Sequence, residues 1–178
     1  RMPAQELEHW LEKTRRMARS PSELMIPMDD GWGALELARR KQQGTDLMNP
    51  HLDFGQIGKP QTCWMQLLME GTIGEQDPDE IPTSYMRQGE WLELLERAVT
   101  QKDRDNWFAW YLLGTAYVAE EKNEQGRAAL ERSAGLKDTV WAAYALAVAY
   151  ERLHESKKAC ANMQKAYDMR RSDIALAR

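Results

Sequence analysis

The stretch WYLLGTAYVAEEKN, residues 110–123, is echoed 33 positions later by AYALAVAYERLHES, residues 143–156. Shifted by that interval, the chain keeps Ala109/Ala142, Tyr111/Tyr144, Leu113/Leu146, Ala116/Ala149, Tyr117/Tyr150 and Ala128/Ala161 identical. Other pairs hold their size: Phe108/Trp141, Gly114/Ala147, Gly126/Ala159, Leu130/Met163 and Ser133/Ala166. Small stands for small and large for large. Helices that nest side chains into one another need that, and so do copies that stack on copies.

Within one copy, Trp110, Leu113, Gly114 and Tyr117 recur at i, i+3, i+4 and i+7, one stripe of an α-helix. Gly126, Leu130, Ser133 and Ala134 form a second stripe. Between them lies the polar EEKNEQ, where Asn123 is the expected N-cap, a place that Ser156 takes in the next copy. Each copy is therefore expected to be a helix, a tight turn and an antiparallel helix. The pattern resembles the tetratricopeptide repeat (TPR), W-x-x-L-G-x-x-Y followed by small, large and small positions on the second helix. Trp110, Leu113, Gly114, Tyr117, Gly126, Leu130 and Ser133 match it in the first copy. The second keeps Leu146, Ala147, Tyr150, Ala159, Met163 and Ala166, with Ala143 where Trp is usual and Asp138 or Arg171 near the usual final Pro.

A further half copy stands upstream. WLELLERAVTQKD (91–103) aligns with GRAALERSAGLKD (126–138) through Leu95/Leu130, Glu96/Glu131, Arg97/Arg132, Lys102/Lys137 and Asp103/Asp138. Its first helix is expected in CWMQLLMEG (63–71), because Pro78 and Pro82 interrupt the nearer residues. Residues 72–87 then read as an insertion at the turn of a degenerate repeat.

The first third is less periodic. Residues 3–19 read as an amphipathic helix, with Leu7, Trp10, Leu11, Thr14 and Met17 on one face. GWGALELARRKQQG (31–44) reads as another, stopped by Gly44. Residues 45–60 read as an ordered loop. GWGALELAR, LDFG and SYMRQGEW ahead of the repeats resemble the tail region of certain large bacterial proteins, in which an uncharacterised β-rich module precedes TPRs. The expected class is all-α, a TPR-like α-α superhelix of stacked helical hairpins with extra N-terminal helices. Residues 1–60 would be the helices and packed loop, and 61–178 the repeats and terminal helix of one continuous domain.

Charge and composition exclude several functions. A net charge of -4 leaves no basic excess to displace counterions from nucleic acid or to hold an anionic membrane. The longest nearly apolar run, WAAYALAVAY, is too short to span a bilayer. Cys63 and Cys160 form no CxxC, so neither a disulfide framework nor a zinc site is indicated, and a cytoplasmic location is expected. No GxSxG or P-loop occurs, and His9, His51 and His154 have no partner at i+3 or i+4. The acids at Asp29, Asp30 and 75–80 could serve as a glycosidase pair only if held across a cleft, and acidic residues beside Pro and Gly usually form solvated loops. No enzyme activity, cofactor or metal is expected.

The resemblance to TPRs implies a groove lined by each first helix. The residues expected to line it are Phe108, Tyr111 and Thr115 in one copy, Trp141, Tyr144 and Val148 in the next, and Arg152 a turn further on. Tyr and Thr stand where a carboxylate clamp would need Lys and Asn, so an acidic chaperone C-terminus is not the expected ligand. Aromatic residues suit a hydrophobic peptide or a sugar ring. The expected function is non-catalytic: an interaction or scaffold module that holds a protein, a peptide or an upstream domain of the same chain. The alternative is an accessory domain of a carbohydrate-active bacterial enzyme that supplies aromatic contacts to the ligand. The groove could also be filled by the chain's own N-terminal half.

Overall fold

The computed structural model describes residues 31–45, 54–82, 86 and 88–176, with side chains to 171. Regular structure among these residues is helical, with no strand, so the chain is all-α. The helix expected over 3–19 and the histidines His9 and His51 lie outside the described residues. The chain divides into two compact units, residues 1–62 and 63–178.

In the first unit, helix α1 (Trp32–Gln42) buries Leu35 and, unexpectedly, Arg39. The Arg39 guanidinium is admitted because Glu36 accepts from it at 2.7 Å and Gln43 at 2.9 Å. Gly44, at φ 82°, supplies the left-handed residue that ends the helix.

The second unit carries the repeats. Helix α2 (Thr62–Glu70) begins at the unit boundary, and an irregular segment leads from it to α3 (Gly89–Gln101). Trp64 of α2 meets Trp91 of α3 edge to face, 5.8 Å between ring centroids, and both are fully buried. Then come α4 (Trp107–Ala119), α5 (Asn123–Leu136), α6 (Val140–Arg152) and α7 (Ser156–Leu176).

Helices α4 and α5 are an antiparallel pair. Ser133 Oγ donates to the carbonyl of Trp107 at 2.8 Å, while Gly126 lies against Gly114 and Val118 near the turn. The crossing is tight enough to exclude a side chain at either glycine. A Cβ on Gly114 would stand 2.6 Å from Leu130 Cγ, and one on Gly126 would stand 2.5 Å from Val118 Cγ2. Helices α6 and α7 pair likewise, with Lys158 over the Tyr150 ring and Arg170 over the Trp141 ring. Leu130 joins the pairs, packing with Leu146, Ala149 and Tyr150 in one buried cluster.

The 33-residue period extends to the backbone. Asn106 and Thr139 cap α4 and α6 with their side chains. Glu121 and His154 are both left-handed at φ 61°. The amide of Lys122 reaches the carbonyl of Tyr117 and that of Glu155 reaches Tyr150, each at 2.9 Å. These are paired Schellman turns on residues other than glycine. They also correct the expected cap at Asn123. The Schellman turn runs straight into α5, so Lys122 holds the capping position and Asn123 is the first helical residue.

Candidate functional site

The first helices of the two copies, α4 and α6, carry the residues expected to line a groove, and the structure sorts them. Phe108 is 1% exposed and stacks on Tyr111 at 6.2 Å, so it supports the face from beneath and is not a surface contact. Tyr111 and Val148 are half-buried against the cluster around Leu130. Thr115 is half-buried and donates to the carbonyl of Leu112. Tyr144 is the exposed aromatic, at 54%. Arg152 is exposed, yet its guanidinium donates to the carbonyl of Val118 at 3.0 Å, at the carbonyl end of α4 where a cation is favoured. Tyr144, Val148 and Arg152 follow at i, i+4 and i+8, so they share one face of α6.

Trp141 has a partner that the repeat pattern does not announce. Its indole Nε1 donates to the carbonyl of Pro78 at 3.1 Å. Pro78 belongs to the segment after α2, which runs from Gly71 to Pro82 without helix. The start of that segment is held tightly. The Asp103 carboxylate, 4% exposed, accepts from Thr72 Oγ1 and from the Ile73 amide, both at 2.6 Å. Asn106 uses both ends of its amide. Its oxygen caps α4 through Phe108 and Ala109, and its nitrogen donates to the carbonyl of Gly74. The segment therefore crosses from the start of α4 to the start of α6. The acids of 75–80 belong to it. A cleft of about 760 Å³ lies beside its start, lined by Glu75 and Gln76 and also by Lys102, Arg104 and Lys137.

A second cleft, about 530 Å³ and mostly apolar, lies where α3, α4 and α5 meet. Trp110, Leu113 and Tyr117 line it together with Val99 and Thr100. Trp110 is half-buried, and its indole donates to the carbonyl of Arg104 at 2.8 Å. The sequence reading put Trp110 in the packing stripe and overlooked this cleft. The available signal was the copy difference, since Ala143 takes the tryptophan's place and is 2% exposed.

The tyrosines of the repeat tie each copy to the one before it. Tyr117 donates to Glu96 Oε1 at 2.6 Å, and Tyr150 to Glu131 Oε1 at 2.5 Å. Burial and then the neighbouring carboxylate push Tyr150 up to about 12 and Tyr117 higher still. The Tyr150 hydroxyl, and then Arg127, hold Glu131 below the usual carboxylate range. Burial pushes the Cys63 thiol up to about 12, which keeps it protonated and a poor nucleophile near neutral pH. Among the described residues, no group of His, Cys, Asp or Glu is placed to hold a metal ion, and no helix is long and apolar enough to cross a membrane. No protein-family model, curated protein or solved structure matches the chain.

Proposed function

We propose that this chain is a non-catalytic interaction or scaffold module of TPR type, which holds an extended peptide or a neighbouring domain along the face of α4 and α6. One observation carries the reading. A non-helical segment already crosses the starts of both helices, while Tyr144, Val148 and Arg152 continue the same face of α6 beyond it. Tyr and Trp suit such a face because each offers an apolar ring and a hydrogen-bonding tip. The 33-residue period, the Gly114–Gly126 crossing and the recurring turns support the TPR assignment. Two free cysteines, Cys63 and Cys160, fit a reducing, cytoplasmic compartment.

The test is selection of a displayed peptide library on the wild-type chain, with each selected peptide then measured on the Tyr111→Ala/Tyr144→Ala variant. The expected outcome is peptides whose affinity falls tenfold or more, while the helical signal is kept and Tm drops only modestly, since Tyr111 is half-buried and Tyr144 exposed. Peptides that bind both chains equally would overturn the assignment of this face. A large loss of Tm would show that the two tyrosines are core residues instead.

A further inference from the structure

The segment after α2 has two unequal parts. Its root is anchored: Ile73 is 2% exposed, Asp103 grips Thr72 and Ile73, and Asn106 holds the carbonyl of Gly74. Its tip meets α6 through the Trp141 indole, which donates to the main-chain carbonyl of Pro78. Beyond the root, Gln76, Pro78 and Pro82 are half-buried and the remaining side chains are exposed. Glu75, Asp77, Asp79 and Glu80 are exposed, and Ile81 is 76% exposed. Pro78 stands in a turn that the Glu80 amide closes on the Asp77 carbonyl at 3.2 Å, so this bond reads the main chain of a proline-bearing turn and not a particular side chain. Charge enters through the segment's own exposed acids and the Arg170 guanidinium, which lies 6.0 Å over the Trp141 ring. The cleft beside the root is mixed in sign, with Lys102, Arg104 and Lys137 next to Asp103 and Asp105.

We infer that residues 75–82 are a tethered stand-in for the true occupant: an acidic, proline-bearing turn of another protein, which displaces this tip from Trp141. The inference rests on the reading of the α4/α6 face as a docking face, and it adds both the class of partner and a means of regulation. Tethering places the tip at an effective concentration on the order of mM, and an incoming peptide must compete with it. Its apparent affinity falls in proportion to the fraction of molecules in which the tip is bound.

The experiment uses the full chain with residues 75–80 replaced by alternating Gly and Ser, which leaves the root anchors in place. The probe is a fluorescein-labelled synthetic peptide of residues 72–82, TIGEQDPDEIP, followed by anisotropy. The expected result is binding at least tenfold tighter to the replaced chain than to wild type. That gain should be lost with Trp141→Phe in the same background, and lost for a peptide with Gln and Asn in place of its acids. A second measurement needs no ligand. Trp141→Phe in the otherwise native chain should speed glutamyl-endopeptidase cleavage after Glu75 and Glu80 severalfold. Equal peptide affinity for replaced and wild-type chains, or an unchanged cleavage rate, overturns the inference. If library peptides still depend on Tyr111 and Tyr144 in that event, the docking face stands and only the tethered occupant falls.

Discussion

The two hairpins share a period and differ at their crossings. In α4/α5 the contact is Gly114 on Gly126, with the branched Leu130 and Val118 pressed into the gap. In α6/α7 the same positions are Ala147 and Ala159, and the places of Leu130 and Val118 are taken by Met163 and Glu151. Leu130 is fully buried, whereas Met163 is 44% and Tyr167 61% exposed. The first hairpin is roofed by the next copy, and the second is not roofed by any described residue. An inner unit in a stack must fit neighbours on both sides, so its shape is narrowly specified. The second hairpin is fitted on one side among the described residues, and its other side carries a flexible methionine and a charge.

The largest effect that could break this comparison comes from filling the tight crossing. Gly114→Leu should destabilise the chain by about 3 kcal/mol in chemical denaturation, because Leu130 Cγ and the Gly126 carbonyl occupy the space. A cost below about 1 kcal/mol would mean that the crossing relaxes to the Ala–Ala spacing of the second hairpin and that the two units are interchangeable.

The tyrosine bonds should be worth about 1 kcal/mol each in Tyr117→Phe and Tyr150→Phe, since both donate to carboxylates in part-buried sites. Similar losses would make the inter-copy tie a property of the period; unequal ones would assign it to one junction. The dependence on pH follows from the direction of the shifts. Tyr150 rises from 10.0 to about 12, so its contribution is complete below pH 10 and is lost as pH climbs through 12. Glu131 is lowered from 4.5, so its contribution is present above that value and fades as pH falls below it. Denaturation at pH 7 and pH 11 should show a smaller alkaline loss in Tyr150→Phe than in wild type.

The smallest expected effect is a gain. Glu121→Gly and His154→Gly relieve left-handed backbone at the two turns and should each stabilise by up to about 1 kcal/mol, read as a rise in Tm. A gain at one turn alone would show that the shared backbone geometry carries unequal strain in the two copies.

The helices of the repeats were legible because burial imposes a size code. Leu113, Gly114, Leu130 and Ser133 are all buried, as their places in the stripes require. The crossing of residues 72–82 was not legible. Asp103, Asn106 and Trp141 act on backbone amides and carbonyls there, and a peptide group leaves no mark on composition or period. Those residues read as an insertion, which describes where the segment interrupts the repeat and says nothing of what it touches. Phe108 was misjudged for a related reason. A period places a residue on a face, but the depth of that face depends on what stacks beneath, and Phe108 lies under Tyr111. Asn123 missed the capping position by one residue because turn and helix share Lys122.

The two tyrosine ties reach backward over 21 and 19 residues, and the bond from Trp141 to Pro78 spans 63. A chain leaving the ribosome can therefore close each tie as soon as the tyrosine emerges, without waiting for later sequence. The bond at Trp141 has to wait for the start of the second copy. On the nascent protein, residues 75–82 emerge before the α4/α6 face that they cross, and they can meet it before α6 has been completed.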